Sequence, residues 1–210
     1  MAISEDLRSQ FGEIDIYLFD QLLRGRFDGR RRVLDAGCGS GRNLPYFLTQ
    51  RFDVYAIDAD AGAVASARAL ARARGGVEDR IVQGELDALP WPDASMDAVV
   101  CSAVLHFAAD RAQFTRNVDE LWRVLAPGGL FFARLASSIG LEARLPATSG
   151  RMRLPDGSER FVVDEALLRD TTARLGGTLI DPIKTTNVQH QRCMTTWVMT
   201  RPTWDTDAQP

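Results

Sequence analysis

The sequence predicts an α/β fold: a mostly parallel sheet of seven strands, helices on both faces, and a last pair of strands returning as an antiparallel hairpin. Three observations carry this. Short aliphatic runs alternate with amphipathic segments from residue 31 to 137, the pattern of strand–helix–strand units around a parallel sheet. One run, "MDAVVCSAVL", is apolar without alternation, as expected of a strand covered on both faces. The two closing runs, "TLIDPIKTTNV" and "RCMTTWVMT", have no helix between them, so they pair as a hairpin.

The elements follow in order. Leu7, Phe11, Ile14, Leu18 and Leu22 recur at steps of three and four, and residues 4–24 read as one helix with Ser4 as N-cap and Gly25 as stop. "RRVLDAG" is a buried strand, followed by a glycine turn and a helix through "LPYFLTQR". "DVYAIDAD" is the second strand, and "AGAVASARALARARGG" a helix that stops at its glycine pair. "DRIVQGEL" is a short third strand, "ALPWPDAS" is turn-rich, and "MDAVVCSAVL" is the fourth strand. "DRAQFTRNVDELWRVLAPGG" is a helix broken at Pro127, and "LFFARLAS" is the fifth strand. Residues 137–160 mix Gly, Pro, Ser and four arginines without a period. "DEALLRDTTARLGG" is a helix capped by Asp164, ahead of the two closing strands. Residues 204–210 read as a loose tail.

A chain of 210 residues suits one domain with an appendage, and 45% hydrophobic with 25% charged residues is an ordinary globular mixture. A net charge of -3 gives no long-range attraction to a polyanion, so nucleic acid is not expected as a partner. No apolar run is long enough to span a bilayer, and an N-terminus carrying Glu5, Asp6, Glu13 and Asp15 lacks the basic start of a leader; no membrane association is expected. Cys38, Cys101 and Cys193 are odd in number and form no CxxC pair, which fits a reduced, cytoplasmic protein. The two histidines lie far apart with no acid pattern around them, so no metal site is expected.

The chemistry is concentrated in "VLDAGCGSGRN", residues 33–43. A turn that only packs needs one glycine; Gly37, Gly39 and Gly41 at alternate positions let a ligand approach the main chain. The dinucleotide fingerprint G-x-G-x-x-G fails in both registers, meeting Arg42 or Leu44 where its third glycine belongs, and no Gly-Lys-Ser/Thr follows for a P-loop. Asp35 ahead of the turn repels a pyrophosphate and suits a ligand bearing a cation or hydroxyls.

At this point the chain resembles a known family. "VLDAGCGSG" is similar to the first motif of class I S-adenosylmethionine-dependent methyltransferases of the small-molecule type. "YAIDAD" resembles their acidic second-strand motif, "VQGELDALPWPDASMDAVVCSAVLHF" their adenine-side and fourth-strand motifs, and "ELWRVLAPGGLF" the helix and turn before the fifth strand. The four stand in the family's order, and the resemblance covers nearly the whole chain.

The resemblance implies a Rossmann-like sheet, S-adenosyl-L-methionine as cofactor with S-adenosyl-L-homocysteine as product, and in-line transfer of the sulfonium methyl to a small-molecule acceptor. It implies residues 1–30 as an N-terminal lid helix, 31–203 as the cofactor-binding methyltransferase domain, and 137–160 as a substrate-facing insert. By the same resemblance Asp35 orders the loop and faces the methionine end, and Gly37, Cys38, Gly39 and Gly41 form the cradle. Asp58 accepts the ribose hydroxyls. Glu85, where the family more commonly has Asp, accepts the adenine amino group, and Leu86 offers its amide. Ala59 and Trp91 are candidates to cover the ring, and Tyr17 to reach the cofactor from the lid. Ser102 and Ala103 line the region of the reactive methyl. His106 is read first as pocket lining and second as a general base; His190 ranks below it. A catalytically silent cofactor-binding module is the alternative function. Oligomeric state is not legible.

Overall fold

The computed structural model of the chain describes residues 3–145 and 149–203; the tail expected at 204–210 lies outside the described residues. Period-two alternation builds two cores on either side of one sheet. In β1 (Arg32–Ala36), Val33 joins one buried cluster and Leu34 the other. In β5 (Leu125–Ser137), Leu130 and Phe132 join the first, and Phe131, Ala133 and Leu135 the second. Helices α3 (Leu44–Thr49) and α4 (Ala61–Ala73) cover the first face through Phe47, Leu48, Val64 and Ala67. Helices α5 (Arg111–Val124) and α6 (Glu165–Arg174) cover the second through Phe114, Val118, Leu121 and Leu168. The remaining central strands are β2 (Asp53–Asp58), β3 (Ile81–Gln83) and β4 (Met96–Ser102).

The sheet runs β3-β2-β1-β4-β5, all parallel, and continues with β10 (Arg192–Thr200), antiparallel to β5. The seventh strand position is filled in two pieces. Both β8 (Thr178–Leu179) and β9 (Lys184–Val188) pair antiparallel with β10, one near each end. The expected mostly parallel seven-stranded architecture with its antiparallel hairpin is therefore present, with one correction. The single strand read over 178–188 is interrupted between Leu179 and Lys184, where Pro182 has no N–H to give the ladder.

Two other differences have local causes. The N-terminal helix is not continuous: α1 (Ile3–Phe11) and α2 (Ile16–Leu23) are separated by Gly12 at φ 64, a left-handed conformation that ends a helix, and Asp15 caps α2 by accepting from the Tyr17 N–H at 2.9 Å. Within residues 137–160, β6 (Gly150–Arg153) and β7 (Glu159–Val162) form an antiparallel hairpin. Phe161 of β7 is fully buried and stacks on Phe114 of α5 with ring centroids 5.2 Å apart, which fastens the hairpin to the second core.

Candidate active site

The strand ends gather most of the predicted residues. A cleft of about 580 Å³ opens beyond the carboxyl ends of β1, β2 and β4, the crevice where open α/β sheets bind ligands. Gly37, Cys38 and Gly39 line it from the first turn, Asp58 and Ala59 from the second strand end, Glu85 and Leu86 from the segment after β3, and Ser102 and Ala103 from the end of β4.

The loop is held from below. The N–H groups of Gly37 and Cys38 both donate to the Ile57 carbonyl, at 2.8 and 3.0 Å, tying the turn to β2. The glycines serve different ends. A Cβ on Gly39, at φ 53, meets nothing within 4 Å, so its missing side chain leaves open cleft. A Cβ on Gly37 would lie 2.3 Å from a Val104 methyl, and one on Gly41 would lie 3.0 Å from Leu70 and 3.1 Å from Leu44. Gly41 is buried in helix packing and does not line the cleft.

Asp58 is fixed at both carboxylate oxygens: Oδ2 accepts the Gly39 N–H at 2.7 Å and Oδ1 the Asp60 N–H at 3.0 Å. Each oxygen keeps a lone pair for a further donor, an arrangement suited to a vicinal diol. Asp35 lies beneath the loop, 2% exposed, and both its oxygens lack a hydrogen-bond partner. Burial pushes its carboxyl up to about 7, against the opposing pull of the Asn43 amide and the Arg42 charge. Burial likewise raises the thiols of Cys38 and Cys101, which are therefore neutral and not nucleophiles.

The other end of the cleft carries a polar knot. Arg42 donates to the Ser102 hydroxyl at 2.9 Å, and Ser102 donates to Asp15 Oδ2 at 2.8 Å. Arg134 reaches the same Asp15 oxygen at 3.3 Å, and Arg42 lies 3.5 Å from it. Arg42 lines the cleft and is its cation at this end. Neither Arg42 nor Asp15 was singled out from sequence as a site residue. Asp15 counts there only among the acids that argue against a leader, and Arg42 only as the residue breaking a glycine register.

Four candidates lie elsewhere. Tyr17 does not line the cleft: its hydroxyl bonds to Thr186 and its ring sits between Arg134, 4.8 Å from the centroid, and Lys184, 5.2 Å from it. Trp91 packs edge-on against Tyr55, centroids 5.8 Å apart, and is partly buried against the second core. His190 is exposed at φ 56 in the turn before β10, where its N–H donates to Asn187. His106 is buried in a second cavity that adjoins the cleft at Ala103 and Phe107. Its Nδ1 accepts the Ala136 N–H at 3.3 Å, which assigns the ring proton to Nε2. Burial, then the charges of Arg160 and Arg134, pull its pKa down to about 4, so the ring is neutral.

Among the described residues no group of three His, Cys, Asp or Glu side chains is placed to hold a metal, and no helix is long and apolar enough to cross a membrane.

A glycine loop between strand and helix, an acid at the end of the next strand, and a crevice spanning both make up the candidate site of this α/β fold. The family model described as a methyltransferase domain matches residues 34–133. The chain is 37% identical over 161 residues to a demethylmenaquinone methyltransferase of Thermus thermophilus, covering 65% of this chain and 70% of that protein. The chain belongs to the S-adenosylmethionine-dependent methyltransferase family. It is also 34% identical over 168 residues to a probable S-adenosylmethionine-dependent methyltransferase of Mycolicibacterium smegmatis, covering 72% of this chain and 62% of that one. Two Mycobacterium tuberculosis relatives are covered over 58% of their length, so the chain spans less than two thirds of these curated relatives. Among solved structures, the 1,6-didemethyltoxoflavin-N1-methyltransferase of Burkholderia thailandensis, with bound 1,6-didemethyltoxoflavin and S-adenosylhomocysteine, superposes with a TM-score of 0.66 at 18% identity, covering 90% of this chain and 81% of that one. At that identity the likeness is one of fold.

The cleft fits the family's cofactor. The open face of Gly39 leaves room for a ligand against the backbone, the free lone pairs of Asp58 suit ribose hydroxyls, and the two orphaned Asp35 oxygens suit a nearby ammonium.

Proposed function

We propose that this chain catalyses methyl transfer from S-adenosylmethionine to a nucleophilic atom of a small-molecule acceptor. When bound, the cofactor supplies an electrophilic sulfonium methyl and a thioether leaving group. Asp58 holds the ribose, Glu85 and the Leu86 amide meet the adenine, and Arg42 with Ser102 holds the methionine carboxylate at the opposite end. Asp35, under the loop, balances the methionine ammonium. With these residues holding the cofactor, the protein would contribute mainly approach geometry and exclusion of water.

His106 then acts as a neutral hydrogen-bond donor to the acceptor through Nε2–H rather than as a base, because its Nδ1 is already taken by main chain. The observation that carries the reading is Asp58, clamped by two backbone amides at the cleft edge. Calorimetry tests it: S-adenosylhomocysteine is expected to bind, NAD is not, and Asp58→Ala is expected to weaken S-adenosylhomocysteine at least about tenfold, the loss of one charge-assisted bond. NAD binding without S-adenosylhomocysteine binding overturns it.

A further inference from the structure

The second cavity, of about 440 Å³, lies under the β6–β7 hairpin and shares Ala103 and Phe107 with the cofactor cleft. Its lining is mixed. Leu154, Met194 and Phe107, the last 59% exposed, are among its apolar members. Arg134, Arg160 and Arg192 are its basic ones, joined by the buried His106. The acid among them, Asp156, has one carboxylate oxygen taken up by the Ser158 N–H at 3.0 Å and the Ser158 hydroxyl at 2.6 Å.

Three arginines against one acid is a local excess of positive charge in a chain whose net charge is -3. Arg134 is answered in part by Asp15 at 3.3 Å, yet its buried Nε has no partner. Among the described residues no ion pair is formed by Arg160 or Arg192. The Arg160 guanidinium lies over the Phe107 ring, 4.9 Å from its centroid; its Nη1 donates to the Glu159 carbonyl at 2.7 Å, which leaves the in-plane donors of Nε and Nη2. Asp156 answers Arg192 and Arg160 in part, as Asp15 answers Arg134, and the positive excess that remains suits an anion, since guanidinium donors match carboxylate and phosphate oxygens.

Building on the methyltransferase reading, we propose that this cavity holds the methyl acceptor and that the acceptor is a small amphipathic anion. A ring-sized apolar body lies against Phe107 and Met194, and its carboxylate or phosphate is held by Arg160 and Arg192. His106 donates to a neutral oxygen or nitrogen of the same molecule. The shared residues Ala103 and Phe107 mark where its reacting atom meets the methyl.

Benzoate, phenyl phosphate and the uncharged benzamide serve as probes in calorimetry on wild-type protein saturated with S-adenosylhomocysteine. At least one of the two anions is expected to bind, benzamide at least tenfold more weakly, and the stronger anion identifies which headgroup the site selects. In the double variant Arg160→Ala/Arg192→Ala, anion affinity is expected to fall at least tenfold while S-adenosylhomocysteine affinity is unchanged, which also reports that the fold is intact. Absence of anion binding, equal binding of benzamide, or unchanged anion affinity in the double variant overturns the proposal while leaving the methyltransferase reading in place. Failure of wild-type protein to bind S-adenosylhomocysteine overturns both.

Discussion

The Ser102 hydroxyl donates to Asp15 Oδ2 at 2.8 Å, joining the end of the fourth strand to a residue 87 positions earlier in the chain. The same oxygen faces Arg134 and Arg42, and the other caps α2. A carboxylate 4% exposed with this many donors cannot be removed without stranding them. Asp15→Ala is expected to cost about 2–3 kcal/mol, the range for a charged hydrogen-bonding group, and Asp15→Asn less because its one amide oxygen still accepts the Tyr17 N–H. Urea unfolding measures both; equal midpoints for wild type and Asp15→Ala would show that the knot contributes nothing.

Asp35 gives a pH dependence with a definite sign. Its carboxyl is raised from 3.8 to about 7 by burial, so the native protein keeps a proton that the unfolded chain loses. The associated stability is fully present below about pH 4 and is lost as pH rises through about 7, amounting to at most about 4 kcal/mol. Thermal unfolding of the cofactor-free protein should show this decline, and Asp35→Asn should lack it. Parallel profiles would refute the raised value. Cofactor binding near pH 6 should also release a proton as the ammonium ionises Asp35, read as a binding enthalpy that depends on the buffer.

Gly37 and Gly39 separate folding from binding. Gly37→Ala places a Cβ against Val104 at φ 78 and is expected to cost about 2–4 kcal/mol of stability, from overpacking and a left-handed alanine. Gly39→Ala meets no protein atom within 4 Å, so stability falls by only about 1 kcal/mol while S-adenosylhomocysteine affinity drops at least about tenfold. Similar stability losses in the two variants would contradict this division.

His106 as a neutral donor makes a kinetic prediction. With its pKa at about 4, turnover should show no inflection from this residue between pH 6 and 8. His106→Gln, which retains a donor, should keep more turnover than His106→Ala. An inflection near pH 6.5 that disappears in both variants would restore the general base.

Much of this was legible in the sequence because the signals are local. The apolar runs of β1, β2 and β4, the capping acid Asp164, and the spacing from the glycine loop to Asp58 are all properties of short windows. The knot was not legible, because nothing around Asp15 announces a bond to Ser102, and Tyr17 is directed by Thr186 from far along the chain. The β6–β7 hairpin was readable in principle: "PDGS" is turn chemistry, with Gly157 at φ 83. It was obscured because "RMR" and "ERF" lack the apolar alternation that marks a half-buried strand.

The broken seventh strand bears on how the molecule behaves among its neighbours. The outermost strand of a sheet is a template onto which another polypeptide can add. Here that border consists of two pieces, of two and five residues, parted by a proline and restarted at Lys184, and the opposite border, β3, is three residues long. Neither side presents a long unbroken row of free amides and carbonyls, so the same irregularity that split the strand disfavours edge-to-edge addition of another chain.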